Sequence, residues 1–223
     1  MDHAHHRRKL LARRSTIPRP ALFLDRDGVV IKDCHHLSNP NQVTLLPGAR
    51  ELLRHANATG WPVVLITNQS GIARGLFDWN AYELVTNRLL ELLGPDAALA
   101  AIYANGHGPD APANSWRKPS PAMLLAAGQE LNLDLSGSLL VGDRLSDLQA
   151  GAAAGLAWLG HVLSGHGQHE RPRVTACIGP CGQFRGENPS SRQAQAVLLE
   201  SLLDFPFGLL GPQAPHHDEL FYR

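Results

Sequence analysis

Asp25 and Asp27 stand two apart at the end of a short apolar run, Ala21-Leu22-Phe23-Leu24. Asp143 follows a second such run, Ser138-Leu139-Leu140-Val141, and Asp147 comes one helical turn later. Clustered carboxylates repel one another, and repel a phosphate, unless a cation sits among them. Oxygen donors of this kind suit Mg2+. Lys118, between Arg117 and Pro119, can neutralise a nucleophilic carboxylate and phosphoryl oxygens together. Thr67 and the backbone amides of Asn68 and Gln69, after the run Pro62-Val63-Val64-Leu65-Ile66, can bind phosphoryl oxygens, and Gly71 and Gly75 permit close backbone approach. Positioning and charge stabilisation are the main demands of phosphoryl transfer, and this set supplies both.

Elements must bring these residues together. The three runs above, Leu99 to Tyr103 and Ala157 to Leu159 read as buried strands. Between them, Pro47 to Ala58, Trp79 to Leu93, Pro121 to Leu131 and Ser146 to Ala154 carry helical apolar spacing. Strands alternating with helices predict an α/β fold: a Rossmann-like, doubly wound parallel sheet of about five or six strands flanked by helices. In such sheets the carboxyl ends of the strands line the ligand crevice, where the polar residues fall. The expected organisation is a basic flexible tail over 1–20, a core domain over 21–165, and a C-terminal extension over 166–223 with one helix, Ser191 to Leu203.

The 20 Lys and Arg balance the 20 Asp and Glu, so no global field points to nucleic acid or membrane as a partner. No apolar run approaches the ~20 residues of a membrane span, and the apolar stretch at Leu10 to Ala12 is too short for a secretory signal. A cytoplasmic location is the resulting expectation. Cys34, Cys177 and Cys181 do not suggest a disulfide framework. Cys177 and Cys181 could be half of a metal site with His166 or His169, or free thiols.

Asp25-Arg26-Asp27-Gly28-Val29, Thr67-Asn68, Lys118 and Gly142-Asp143-x3-Asp147 resemble the four signature motifs of the haloacid dehalogenase superfamily, in order. The resemblance implies that Asp25 attacks phosphorus and that Asp27 acts as acid, then base. It assigns Mg2+ to Asp25, the backbone carbonyl of Asp27 and Asp143, phosphoryl binding to Thr67 and Lys118, and support to Asp147. The stretches from Asp27 to Thr67 and from Thr67 to Lys118 leave no room for a large cap domain. Thr67 to Gly75 and Arg117-Lys118-Pro119 are similar to D-glycero-D-manno-heptose 1,7-bisphosphate phosphatases and histidinol-phosphate phosphatases. The leading expectation from this resemblance is removal of the 7-phosphate of a heptose 1,7-bisphosphate, with histidinol phosphate or another sugar phosphate as the alternative, and Asn68, Gln69, Arg74 and Arg117 are candidate contacts.

Two segments depart from that pattern. The family's zinc loop has a Cys-x-His pair and then Cys-x-Cys, where this chain has Asn105-Gly106-His107 and Asn114-Ser115-Trp116. One histidine cannot make a tetrahedral site, so no structural zinc is expected there, and Trp116 is expected to pack the loop instead. Ile31 to His36 also replaces a small, glycine-containing stretch. A non-catalytic binding protein on a phosphatase fold is the competing reading from another class.

Overall fold

The computed structural model describes residues 5–186 and 193–212. Thirteen helices and strands matter here. They are β1 (His6–Leu10), β2 (Leu22–Leu24), α1 (Ala49–Ala58), β3 (Val63–Asn68), α2 (Ser70–Ala73), α3 (Trp79–Leu93), β4 (Ala101–Asn105), α4 (Ala122–Leu131), β5 (Leu139–Gly142), α5 (Leu145–Ala153), β6 (Trp158–His161), α6 (Gly167–Ala176) and β7 (Gln195–Leu198).

The strands form one seven-stranded sheet in the order β1-β4-β3-β2-β5-β6-β7, parallel except for β1. β2 is fully buried at its centre. Side chains alternate across a strand, so Leu22 and Leu24 join one core layer and Phe23 the other. The first layer holds Leu52 and Leu53 of α1 with Val85 and Leu89 of α3. The second holds Met123 and Leu124 of α4, Leu148 of α5 and Val174 of α6. α1 buries Ala49, Leu52, Leu53 and Ala56, the i, i+3, i+4, i+7 stripe that a core-facing helix needs. Asp78 caps α3 by accepting from the Ala81 amide, a contact worth about 1 kcal/mol.

The doubly wound fold follows the sequence pattern, with two strands beyond the five runs that the apolar pattern marks. Both lie at the sheet edges. In the segment expected as a flexible tail, His6–Leu10 pairs antiparallel with β4. Its charges had suggested a solvated segment, yet they alternate between faces as strand side chains do. Arg7 lies 4.7 Å over the Trp79 ring and Lys9 bonds Glu83, while Arg8 pairs with Glu130.

In the C-terminal part, the helix expected over Ser191 to Leu203 is overturned. Ser191 and Arg192 lie outside the described residues, and Gln195–Leu198 is strand β7, pairing with β6 in parallel. Ala, Gln and Leu favour helix locally, but the open edge of β6 offers backbone partners that override the preference. Among the described residues the one α-helix of this part is α6, in a segment whose Gly, His, Arg and internal Pro172 conceal it. It buries only Gly167 and Val174, so it carries no apolar stripe to read.

Candidate active site

Sheet register sets the site. Leu24 of β2 lies between Leu65 of β3 and Val141 of β5. Asp25 therefore leaves the sheet between Thr67 and Asp143, each two residues beyond those partners. Asp25, Asp143 and Asp147 are buried, and their carboxylate oxygens lie within 4.8 Å of one another.

Lys118 reaches this cluster from the loop before α4. Its Nζ donates to Asp25 Oδ1 at 2.7 Å and to the Ile66 carbonyl at 3.0 Å, and pairs with Asp147 Oδ1 at 2.6 Å. Two hydrogen bonds and one ion pair hold the ammonium, and the two carboxylates keep it charged, above the ordinary lysine value, against the cost of burial. Asn68 fixes the backbone behind it: its Oδ1 accepts from the Lys118 amide at 3.2 Å and its Nδ2 donates to the Lys118 carbonyl at 3.3 Å.

Burial pushes Asp25 up to about 7, with Lys118 opposing and Asp147 adding to the rise. Burial, with Asp25 and Asp147 nearby, pushes Asp143 up to about 8. Asp143 Oδ2 accepts from the His166 amide at 2.7 Å, whereas its buried Oδ1 has no hydrogen-bond partner among the described residues. An orphaned buried carboxylate oxygen within a carboxylate cluster fits a hard dication such as Mg2+.

Two glycines close around Asp143. Gly28 has φ +85°, and a Cβ there would stand 2.5 Å from Asp143 Oδ2. A Cβ on Gly165, at φ +60°, would meet the same oxygen. His161 supports the backbone beneath. Arg171 Nε donates to His161 Nδ1 at 2.9 Å, which leaves the imidazole proton on Nε2, 3.1 Å from the Asp143 carbonyl. Burial and Arg171 hold this histidine below its usual value, hence neutral.

Asp27 is turned away from the carboxylate cluster. Arg26 reaches its two oxygens at 3.1 Å each, Gln69 Nε2 donates to Oδ2 at 2.8 Å, and the Thr67 hydroxyl lies 3.4 Å from the same oxygen. Arg26 is itself buried, 5.2 Å over the Tyr82 ring. The expected contact of the Gln69 amide with a phosphoryl group is not available, because that amide donates to the Asn105 carbonyl at 2.6 Å. The side chains of Asn68 and Gln69 likewise hold Lys118 and Asp27.

A cavity of about 560 Å³ opens above Asp25 and Asp27. Arg74, Arg117 and Arg144 line it together with His35, His36 and His166. Arg117 is half-buried and donates to the His107 carbonyl at 3.2 Å. Burial and nearby Arg144 hold it below the usual arginine value. Arg74 lies 3.4 Å from His36. Sequence reasoning gave no role to Arg26, Arg144 and His161, and considered His166 only as a partner of Cys177 and Cys181. The Gly-Asp-Arg step after a strand was a usable signal for Arg144, whereas the others depend on packing between distant segments.

The loop that departs from the family pattern is held by rings. His6 stacks on Trp116 at 4.7 Å and His5 on His107 at 4.2 Å, with Tyr103 5.5 Å from Trp116. Cys34, Cys177 and Cys181 are free thiols.

The haloacid dehalogenase-like hydrolase family matches residues 7–155. The D-glycero-beta-D-manno-heptose-1,7-bisphosphate 7-phosphatase of Mesorhizobium japonicum is 50% identical over 149 residues, covering 63% of this chain and 69% of its own. The enzyme of that name from Escherichia coli K12 is 31% identical over 203 residues, covering 88% of this chain and 96% of its own. Among solved structures, a HAD-like phosphatase from Mesorhizobium loti superposes with a TM-score of 0.67 at 41% identity, over 73% of this chain and 82% of that one. The D,D-heptose 1,7-bisphosphate phosphatase of B. bronchiseptica, complexed with magnesium and phosphate, gives 0.67 at 33% identity, over 82% and 93%. With the motif residues gathered at one strand-end site and a match over most of its length, this chain belongs to the haloacid dehalogenase-like hydrolase family.

Proposed function

We propose that this protein removes the 7-phosphate of D-glycero-D-manno-heptose 1,7-bisphosphate in an Mg2+-dependent reaction through an aspartyl-phosphate at Asp25. The observation that carries the reading is the Lys118 ammonium bridging Asp25 and Asp147 at the floor of an arginine-lined cavity. A carboxylate neutralised from one side can approach a phosphate dianion. The names of the relatives supply the heptose bisphosphate.

Asp25 attacks phosphorus as the bond to the sugar oxygen breaks, and Asp27 gives its proton to that oxygen. In the second half Asp27 takes a proton from water, whose oxygen attacks phosphorus and releases Asp25. Arg26, Gln69 and Thr67 aim Asp27 for both transfers. Asp25, Asp143 and the Asp27 backbone carbonyl would hold Mg2+, which supplies charge neutralisation at the phosphoryl oxygens. Asp147 acts through Lys118, and Thr67 and Lys118 face the transferred group. Arg74, Arg117 and Arg144 suit the second phosphate of a bisphosphate, Arg117 and Arg144 being like charges close together that an anion would relieve. The ring-stacked loop carrying Arg117 is expected to need no structural zinc, and the reaction is assigned to the cytoplasm.

The test is phosphate release from the heptose bisphosphate, its 1-phosphate and 7-phosphate monoesters, and histidinol phosphate, with and without Mg2+. The expected result is Mg2+-dependent release favouring the bisphosphate and loss of turnover in Asp25→Asn. Preference for histidinol phosphate would overturn the substrate, and turnover in Asp25→Asn would overturn the covalent step.

A further inference from the structure

We propose that Asp33, His35 and His166 form a second metal site at the rim of the cavity, taking a transition-metal dication of the zinc or cobalt class. Their potential ligand atoms, one per residue, lie within 4.8 Å of one another. His166 Nε2 is 3.0 Å from Asp33 Oδ2, and His35 Nδ1 is 3.8 Å from Asp33 Oδ1. The two imidazole rings are tilted 47° to one another with centroids 5.9 Å apart.

Two distant segments build this arrangement. Asp33 accepts from the His35 amide at 2.9 Å, a tight local turn. His35 and His36 both take left-handed backbone, at φ 49° and 63°, which swings the His35 ring toward His166. A non-glycine residue there is uncommon, and two in succession set a defined side-chain direction. On the other side, the bond from the His166 amide to Asp143 and the close approach of Gly165 to Gly28 fix the His166 backbone.

The donor set selects the ion. Two imidazole nitrogens and one carboxylate oxygen suit zinc, cobalt or nickel, whereas Mg2+ prefers oxygen throughout. Metal bonds of about 2.0–2.2 Å place neighbouring ligands about 3.4 Å apart in a tetrahedron. The His166–Asp33 separation of 3.0 Å is about 0.4 Å inside that spacing. The His35 side chain, 83% exposed, is free to close the remainder by rotation about its side-chain bonds. Three protein ligands leave at least one position open, and the cavity lies beside it. This site is separate from the all-carboxylate cluster at Asp25, Asp143 and Asp147, and from the loop around His107.

The test uses the full chain, stripped of metal by a chelator, with millimolar Mg2+ present to satisfy the carboxylate cluster. Co2+ is titrated in, followed by its visible d–d absorption and by calorimetry, and Zn2+ is then added as competitor. One Co2+ equivalent is expected, displaced by Zn2+. His35→Ala and His166→Ala should each weaken it at least roughly tenfold, the lower end of what loss of even a supporting contact costs. Asp25→Asn and His107→Ala should bind as the parent does, which keeps the result independent of turnover. His35 is exposed, so His35→Ala remains informative if His166→Ala melts early. Parent-like Co2+ affinity in His35→Ala, loss of binding in Asp25→Asn or His107→Ala, or no binding with Mg2+ present would overturn the proposal.

Discussion

Asp27 receives donors from Arg26, Gln69 and Thr67, so its carboxylate is aimed before any substrate arrives. Gln69 was expected from the sequence to contact substrate; in the structure it is buried and spends its amide on Asp27 and on the Thr67 hydroxyl. Substituting Gln69→Leu should therefore lower kcat roughly tenfold and leave KM within about twofold. Steady-state kinetics separate the two roles, because a substrate contact would raise KM. Lys118 has the opposite character, a single ammonium serving two buried carboxylates. Lys118→Met removes that charge and leaves Asp25 and Asp147 unpaired. The metal-free protein should lose about 3–5 kcal/mol in urea unfolding, with an unchanged m-value, and Mg2+ should restore part of the loss. Residue type and position pointed to Asp25 and Asp143 at strand ends and to Lys118 as their charge partner, whereas Asp147 came only through the family resemblance. Neither could point to His161, whose neutral state depends on an arginine ten residues along the chain and on burial.

At the scale of elements, the site depends on turns as much as on strands. The short segment Ser164-Gly165-His166, after β6, presses on Asp143 from outside the sheet: Ser164 bonds the Gly28 carbonyl at 2.6 Å, and the His166 amide bonds Asp143. Gly165→Ala would place a methyl against the Asp143 carboxylate at a backbone angle that disfavours side chains. Mg2+ affinity should fall at least roughly tenfold, read by calorimetry, with little change in secondary structure by circular dichroism. The central strands and α1, α3, α4 and α5 were legible because continuous apolar runs and 3.6-residue stripes report burial directly. β1, α6 and β7 were not, for physical reasons. β1 meets its charges with partners on two helices, α6 buries almost nothing, and β7 is a helix-favouring segment drawn onto an open strand edge.

Across the whole molecule, proton and metal binding are linked. Asp25 and Asp143 ionise near 3.8 when unfolded, and at about 7 and about 8 when folded without metal. The folded chain thus holds protons that the unfolded chain has released, so this stabilising contribution is present below about 4 and lost as pH rises through 7 and 8. His161 acts in the other sense: its folded value is lowered, so its contribution is present above 6.5 and lost as pH falls. Mg2+ held by the carboxylates would replace those protons. The rise in Tm on adding Mg2+ should therefore grow from pH 6 to pH 8.5, and binding near pH 7 should release protons, measurable by calorimetry in buffers of different ionisation enthalpy. β1 also has a role beyond its contacts with neighbouring helices. It covers one flank of β4, whose other flank lies along β3. Trimming the chain to begin after Leu10 would expose a row of unpaired backbone amides and carbonyls on an apolar strand. That row is a template on which a second copy can add its own strand, so the shortened protein should self-associate as its concentration rises. With β1 in place the edge of the sheet instead carries Arg7, Arg8 and Lys9, charges of the kind that discourage edge-to-edge pairing.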